Sequence, residues 1–215
     1  MYSWIVLDGI EGTGKSTLCN YLAEAINGVV VSTNSSGDIA KSVRDRFKDK
    51  TKSVLSNDVN LVLMMASILE TYHNDIIPKL EETYVISDRW VSSTYVYQVY
   101  NSSNIKSYLT SRKLFKLLTK QMLEKKPDLY IWCTCPIEIV NERVAKRGRN
   151  DRLDNLDNSI KENLIIGYES WYNKKYCENN FKLDCSKPLD EVKAELFEIV
   201  AQYFKQRLKM KEKTL

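Results

Sequence analysis

The sequence predicts an α/β fold, a five-stranded parallel sheet flanked by helices. Three observations carry that expectation. Four short runs are apolar at successive positions and a fifth, Phe181-Lys182-Leu183, at alternate ones, as in a sheet covered on two sides. Longer segments between them repeat apolar residues every three or four positions, the period of a helix face. A glycine-rich turn separates the first strand from the first helix.

The elements follow in order. Trp4-Ile5-Val6-Leu7 is the first strand, and Leu18, Leu22 and Ile26 mark the helix after it, which Gly28 stops. Val29-Val30-Val31 is the second strand. Ile39, Val43 and Phe47 share one face of the next helix, and residues 48–56 read as a polar, mobile loop. Asn57 or Asp58 is expected to cap a long helix through Leu61, Met64, Met65, Ile68 and Leu69, with Pro78 limiting any further helical segment. Tyr84-Val85-Ile86 is the third strand. Leu114, Leu117, Leu118 and Met122 mark a helix that closes before Pro127, and Leu129-Tyr130-Ile131-Trp132 is the fourth strand. Ser159 with Glu162 has the spacing of a capping box, opening a helix with Ile160, Leu164, Tyr168 and Trp171 on one face. Phe181-Lys182-Leu183 is the fifth strand. Val192, Leu196, Ile199, Val200 and Phe204 mark the last helix. This reads as a single domain over residues 1–208 with a polar, frayed tail at 209–215. A ligand site belongs beyond the C-terminal ends of the strands.

Composition narrows the function. With 215 residues, 43% of them hydrophobic, the chain can bury a full core. Its 32 Lys and Arg against 28 Asp and Glu leave a charge of +4, too little for a dedicated nucleic-acid binder and enough for a few phosphates. The N-terminus has neither the basic start nor the apolar stretch of a signal peptide, and no uncharged apolar run spans a bilayer, so a cytoplasmic location is expected. Five Cys at wide spacings, with a single His at His73, do not make a metal site and read as buried thiols in a reducing compartment.

The chemistry begins at Gly9-Ile10-Glu11-Gly12-Thr13-Gly14-Lys15-Ser16, a Gly, four residues, then Gly-Lys-Ser between a strand and a helix. This is the pattern of a P-loop, and it assigns the P-loop NTPase fold. Glycines let backbone amides turn toward the phosphates of ATP. Lys15 reaches the β and γ phosphates and Ser16 can hold magnesium. Gly9, Gly12, Thr13, Gly14, Lys15, Ser16 and Thr17 are the expected ATP-binding positions. No Asn-Lys-x-Asp run for guanine is present. The motif by itself says only that a nucleoside triphosphate is bound.

At the tip of the third strand, Asp88 can assist the magnesium ion and Arg89 can span donor and acceptor phosphates. After Pro136, Arg143 and Arg147 share a helix face that Gly148 ends, leaving Arg149 and Arg152 on a loop. Such a loop reads as a lid over about residues 146–158 that excludes water on closing. Arg143 joins the ATP-binding set. Basic loops also touch nucleic acid, but the phosphate site upstream favours the lid.

Together these segments resemble the thymidylate kinase family over nearly the whole length. The similarity lies in the P-loop from Leu7 to Thr17, in Asp88-Arg89-Trp90 through Gln98, in Pro127-Asp128-Leu129, and in the run from Pro136 through Arg147-Gly148 to Asp151-Arg152. The resemblance implies transfer of the γ-phosphoryl group of ATP to dTMP, with magnesium, in a homodimer. It implies that Glu11 helps position the acceptor, that Arg89 and Arg44 hold its phosphate, that Ser93, Tyr97 and Gln98 surround its base and sugar, and that Tyr168 lies near the deoxyribose. With Thr at position 13, the chain is similar to the bacterial-type arrangement in which lid arginines, here Arg149 and Arg152, serve catalysis. It departs from the family where a Phe usually stacks on thymine and an Arg reads its edge: Met64 and Ile68 stand there. That departure opens a second reading, a related kinase with altered or wider base choice. A deoxynucleoside kinase and a non-enzymatic P-loop regulator are the remaining alternatives.

Overall fold

The computed structural model describes residues 2–33, 37–49, 51–52, 55–102, 104–148, 153, 156–174 and 177–212. Five strands, β1 (Trp4–Asp8), β2 (Val29–Ser32), β3 (Val85–Asp88), β4 (Leu129–Thr134) and β5 (Asn180–Asp184), form one parallel sheet. Their order is β2-β3-β1-β4-β5. Each follows the expected apolar run, and β3 extends two residues further, so Ser87 and Asp88 belong to it. Pairing sets Leu7 and Ser32 beside Asp88, and Asp8 beside Trp132. The strand tips thus finish at one level, under the site.

Side-chain alternation along β1 divides the interior. Trp4 and Val6 face one layer, built from α3 (Asn57–Thr71), α5 (Val91–Thr94), α6 (Ile105–Met122), α7 (Ile137–Arg147) and α8 (Asn158–Asn173). Ile5 and Leu7 face the other, made by α1 (Lys15–Ile26) and α9 (Leu189–Glu212). All five β1 side chains are fully buried, and each large apolar one contributes about 1.5–3 kcal/mol relative to exposure.

Several local expectations are corrected. The helix stop after α1 is Asn27 in the left-handed region, with Gly28 N–H bonded to the Ala23 carbonyl at 2.8 Å. On α2 (Asp38–Lys48), Ile39 is exposed; Ala40 and Val43 are the inward residues, because that face meets α3. Ser56, not Asn57 or Asp58, takes the N-cap position of α3. Pro78 does not limit the helical run. The chain passes from α3 through a π turn (Tyr72–Ile76) into α4 (Ile77–Glu82), where Pro78 sits in the first turn and its missing N–H costs least. The Ser159–Glu162 box does not form, since the backbone carbonyl of Asp157 takes the first bonds of α8, from Ile160 and Lys161. α9 runs on to Glu212, into the segment read as a frayed tail. The five Cys are buried and unpaired, as expected.

Candidate active site

The loop between β1 and α1 turns on three glycines with positive φ, Gly9, Gly12 and Gly14. Gly9 is required twice over: its φ is 149°, and a Cβ there would strike the Cys133 carbonyl on the neighbouring strand. The loop delivers its amides to the N-terminus of α1, whose first turn has no acidic residue. That end attracts anions. Lys15 folds back under the loop, donating to the Ile10 carbonyl at 2.5 Å and the Thr13 hydroxyl at 3.3 Å. Burial, then the Arg89 guanidinium, lowers its pKa below the ordinary lysine value. Ser16 donates to Asp88 Oδ2 at 2.5 Å, so the hydroxyl and the carboxylate read as magnesium ligands do meet.

Arg89 forms the facing wall. Its backbone lies in the left-handed region at φ 76°, and its side chain returns toward the P-loop. Nη1 donates to the Gly9 carbonyl at 3.0 Å and the Ser93 hydroxyl at 2.9 Å, and Nη2 donates to Glu11 Oε1 at 2.5 Å. Burial is the largest single effect and works against this charge, but Glu11, Tyr97, Tyr168 and Asp8 together outweigh it, and the pKa stands well above the ordinary arginine value. The other Glu11 oxygen accepts from Tyr97 Oη at 2.5 Å. Burial, then Glu11, raises the Tyr97 phenol well above its usual pKa, so it stays a donor.

Between these walls opens a cleft of about 520 Å³. Gly12, Gly14, Lys15, Ser16, Thr17, Arg143 and Arg147 line its P-loop end, with Asp88 beside them. Glu11, Arg89, Ser93, Tyr97, Gln98, Arg44 and Met64 line the rest, where Phe47 and Ser32 join them.

A family model, Thymidylate kinase, matches residues 7–196. This chain belongs to the thymidylate kinase family. The thymidylate kinase of Alcanivorax borkumensis is 28% identical over 206 residues, covering 93% of this chain and 96% of that one. The probable thymidylate kinase of Archaeoglobus fulgidus is 30% identical over 210 residues, covering 93% and 95%. Among solved structures, thymidylate kinase from Candida albicans superposes with a TM-score of 0.76 at 19% identity, covering 94% of this chain and 92% of that one. The enzyme from Ehrlichia chaffeensis gives 0.69, also at 19% identity, covering 93% and 98%. Both share the fold.

Within this thymidylate kinase frame, most of the expected positions meet at one cleft, and four do not line it. Gly9 and Thr13 stand behind the loop, Thr13 being buried with its hydroxyl on the Ile10 carbonyl at 3.1 Å. Ile68 turns into the core beneath α3, while Met64 one turn earlier reaches the cleft. Tyr168 is fully buried below the wall, its hydroxyl on Asp8 Oδ1 at 2.9 Å and Ser93 Oγ at 2.7 Å, and it is not among the residues that line the cleft. Arg149 and Arg152 lie outside the described residues. Ser32, Phe47, Arg147 and Leu153 line the cleft without having been expected there, and Asp8 lies buried behind it. Phe47 was visible as one turn from Arg44 on α2. Asp8 had one signal, a carboxylate ending an otherwise apolar strand.

Proposed function

We propose that this protein transfers the γ-phosphoryl group of ATP to dTMP, giving ADP and dTDP. One observation carries the reading: cationic side chains line the cleft from both walls, Lys15 with Arg143 and Arg147 at the P-loop and Arg89 with Arg44 opposite. The P-loop amides and Lys15 hold the donor phosphates, while Arg89, with Arg44, holds the acceptor phosphate, for which it exchanges its Glu11 partner. An acceptor phosphate oxygen attacks the γ phosphorus, the bond to the bridging oxygen of ADP breaks, and Lys15 offsets the charge on the moving group. Ser16 and Asp88 offer the hard oxygens that suit magnesium. When bound, the ion would neutralise charge on the donor phosphates. Glu11 and Tyr97 orient the sugar end, and Arg149 and Arg152 close the lid.

The base end supports wider choice than thymine alone. Met64 and Phe47 offer apolar cover, and Ile68 is buried in the core. Gln98 lines the cleft with its Oε1 buried and without a hydrogen-bond partner. One amide that can rotate pairs with either a 4-oxo or a 4-amino pyrimidine edge, whereas apolar walls select by shape and contribute only about 1–3 kcal/mol per methylene-sized difference. The test is kcat/KM for dTMP, dUMP, dCMP, dGMP and thymidine with magnesium ATP. The expected result is best turnover of dTMP with measurable dCMP and dUMP turnover. Activity on thymidine with none on dTMP would replace the reading by a deoxynucleoside kinase. No turnover of any acceptor would leave a regulator.

We further infer a homodimer. Exposed Val59 and Val62 on α3 and Ile105, Leu109 and Leu117 on α6 are apolar side chains that a second copy would cover. Among the described residues no helix is long and apolar enough to cross a membrane. The unpaired thiols fit a cytoplasmic location.

A further inference from the structure

We propose that Asp8 is a positioning residue for the acceptor phosphate, acting through the turn that carries Arg89. The inference rests on the phosphoryl-transfer reading above. Asp8 is fully buried at the end of β1 and does not line the cleft. A carboxylate in such a place is costly unless its lone pairs are filled, and here they are. Oδ1 accepts from Gly9 N at 2.8 Å, Ser93 Oγ at 2.7 Å and Tyr168 Oη at 2.9 Å. Oδ2 accepts from Trp90 N at 3.2 Å, Ser93 N at 3.1 Å and the Ser92 hydroxyl.

Those donors belong to the P-loop, to α8 and to the turn that follows Arg89. Arg89 itself holds φ 76°, a conformation that a branched or bulky L-residue keeps only when its surroundings over-determine it. The backbone amides of Trp90 and Ser93, both aimed at Asp8, supply that constraint from one side. The Arg89 amide bonded to the Leu7 carbonyl at 3.0 Å supplies it from the other. The guanidinium then comes back to within 3.8 Å of Asp8 Oδ1. Asp8 therefore aims the clamp: it fixes the backbone from which Arg89 projects and sets Ser93, the hydroxyl that Arg89 leans on. With every lone pair taken and no face on the cleft, Asp8 is neither a base nor a metal ligand.

The test uses Asp8→Asn and Ser92→Ala. In Asp8→Asn, either orientation of the amide turns an NH2 group toward a backbone N–H, at Gly9 on one side or at Trp90 and Ser93 on the other, and a backbone donor cannot reverse. Ser92→Ala removes one donor to Asp8 from outside the cleft. Calorimetric Kd values for dTMP and for ATP are read on both variants and on the unaltered protein, alongside dTMP turnover. The expected result is a dTMP Kd raised about tenfold or more in Asp8→Asn and about threefold in Ser92→Ala, with the ATP Kd within about twofold in both. An unchanged dTMP Kd, or equal weakening of both ligands, overturns the inference. If Asp8→Asn does not fold, Ser92→Ala decides alone. An unaltered protein that binds dTMP without turning it over would strike the function reading and leave the Asp8 comparison standing. One that does not bind dTMP strikes both.

Discussion

Lys15 and Gln98 show how much of the site turns on single side chains. Lys15 is buried, and burial followed by Arg89 lowers its pKa, so its charge is held at a cost to the folded chain. Lys15→Ala is therefore expected to lower kcat/KM by about two to three orders of magnitude, the scale of losing one preorganised group on the transition state. The ligand-free variant should unfold at the same or a higher temperature. Steady-state kinetics with a thermal melt check both halves, and near-normal turnover would remove Lys15 from the chemistry. At the base end, Gln98→Leu takes away the amide on the cleft wall. The expected outcome is a kcat/KM for dTMP down by about tenfold, with dUMP and dCMP falling alongside it. A variant indistinguishable from the parent across the acceptor panel would show that Gln98 does not face the base. Lys15, Asp88 and Arg89 could be read from the sequence because each belongs to a short motif with a fixed neighbour. Ile68 could not be placed: helical periodicity puts it on the same face as Met64, and only packing decides that one reaches the cleft and the other the core.

Between elements, α2 is the part whose placement is least local. It brings Arg44 and Phe47 to the cleft, yet its N-terminus is capped by a different helix. Glu70 on α3 accepts from the Ile39 amide at 3.2 Å and the Ala40 amide at 2.8 Å. A Cβ on Gly37 would overlap that carboxylate, so a side chain there would push the Glu70 cap aside, the φ of −134° itself being open to any residue. Ser67 and Thr71 add bonds to the Thr33 carbonyl at 3.1 and 3.3 Å. Glu70→Ala should cost about 1 kcal/mol, the usual worth of a helix cap, read as a shift of the urea midpoint. It should also raise the KM for dTMP, because α2 loosens; unchanged values of both would deny Glu70 that role. For the lid, Arg149→Ala and Arg152→Ala are expected to lower kcat more than they raise the KM for dTMP, since lid contacts tighten on closure. Two variants with unaltered kcat would make this segment an ordinary solvated loop.

At the scale of the molecule, the order β2-β3-β1-β4-β5 places the P-loop strand in the centre, with β3 and β4 on its flanks. Asp88 on one flank thereby lies across from Ser16, and Gly9 lies against Cys133 on the other. The exposed apolar side chains of α3 and α6 carry the expected homodimer. Sedimentation should show a species of twice the chain's mass, and Leu117→Glu should shift it toward the monomer. A monomeric parent protein would end that reading.

Sequence alone determined the parallel α/β architecture and the P-loop, each written in local periodicity or in a short motif whose residues are neighbours in the chain. The reaction class came from the resemblance that several such segments carry together. Its helix ends were less legible, because a cap depends on which backbone carbonyl or amide is left over once the helix packs: Ser56, Asp157 and the π turn before Pro78 were all settled that way. Tertiary structure alone decided which side chains face the cleft and what aims them. Asp8 gathers donors from Ser92, 84 residues on, and from Tyr168, 160 residues on. Glu70 caps a helix that begins 32 residues before it. No pattern in the chain records such meetings, because a buried polar group selects its partners by proximity in the folded core and by the cost of leaving any one of them unpaired.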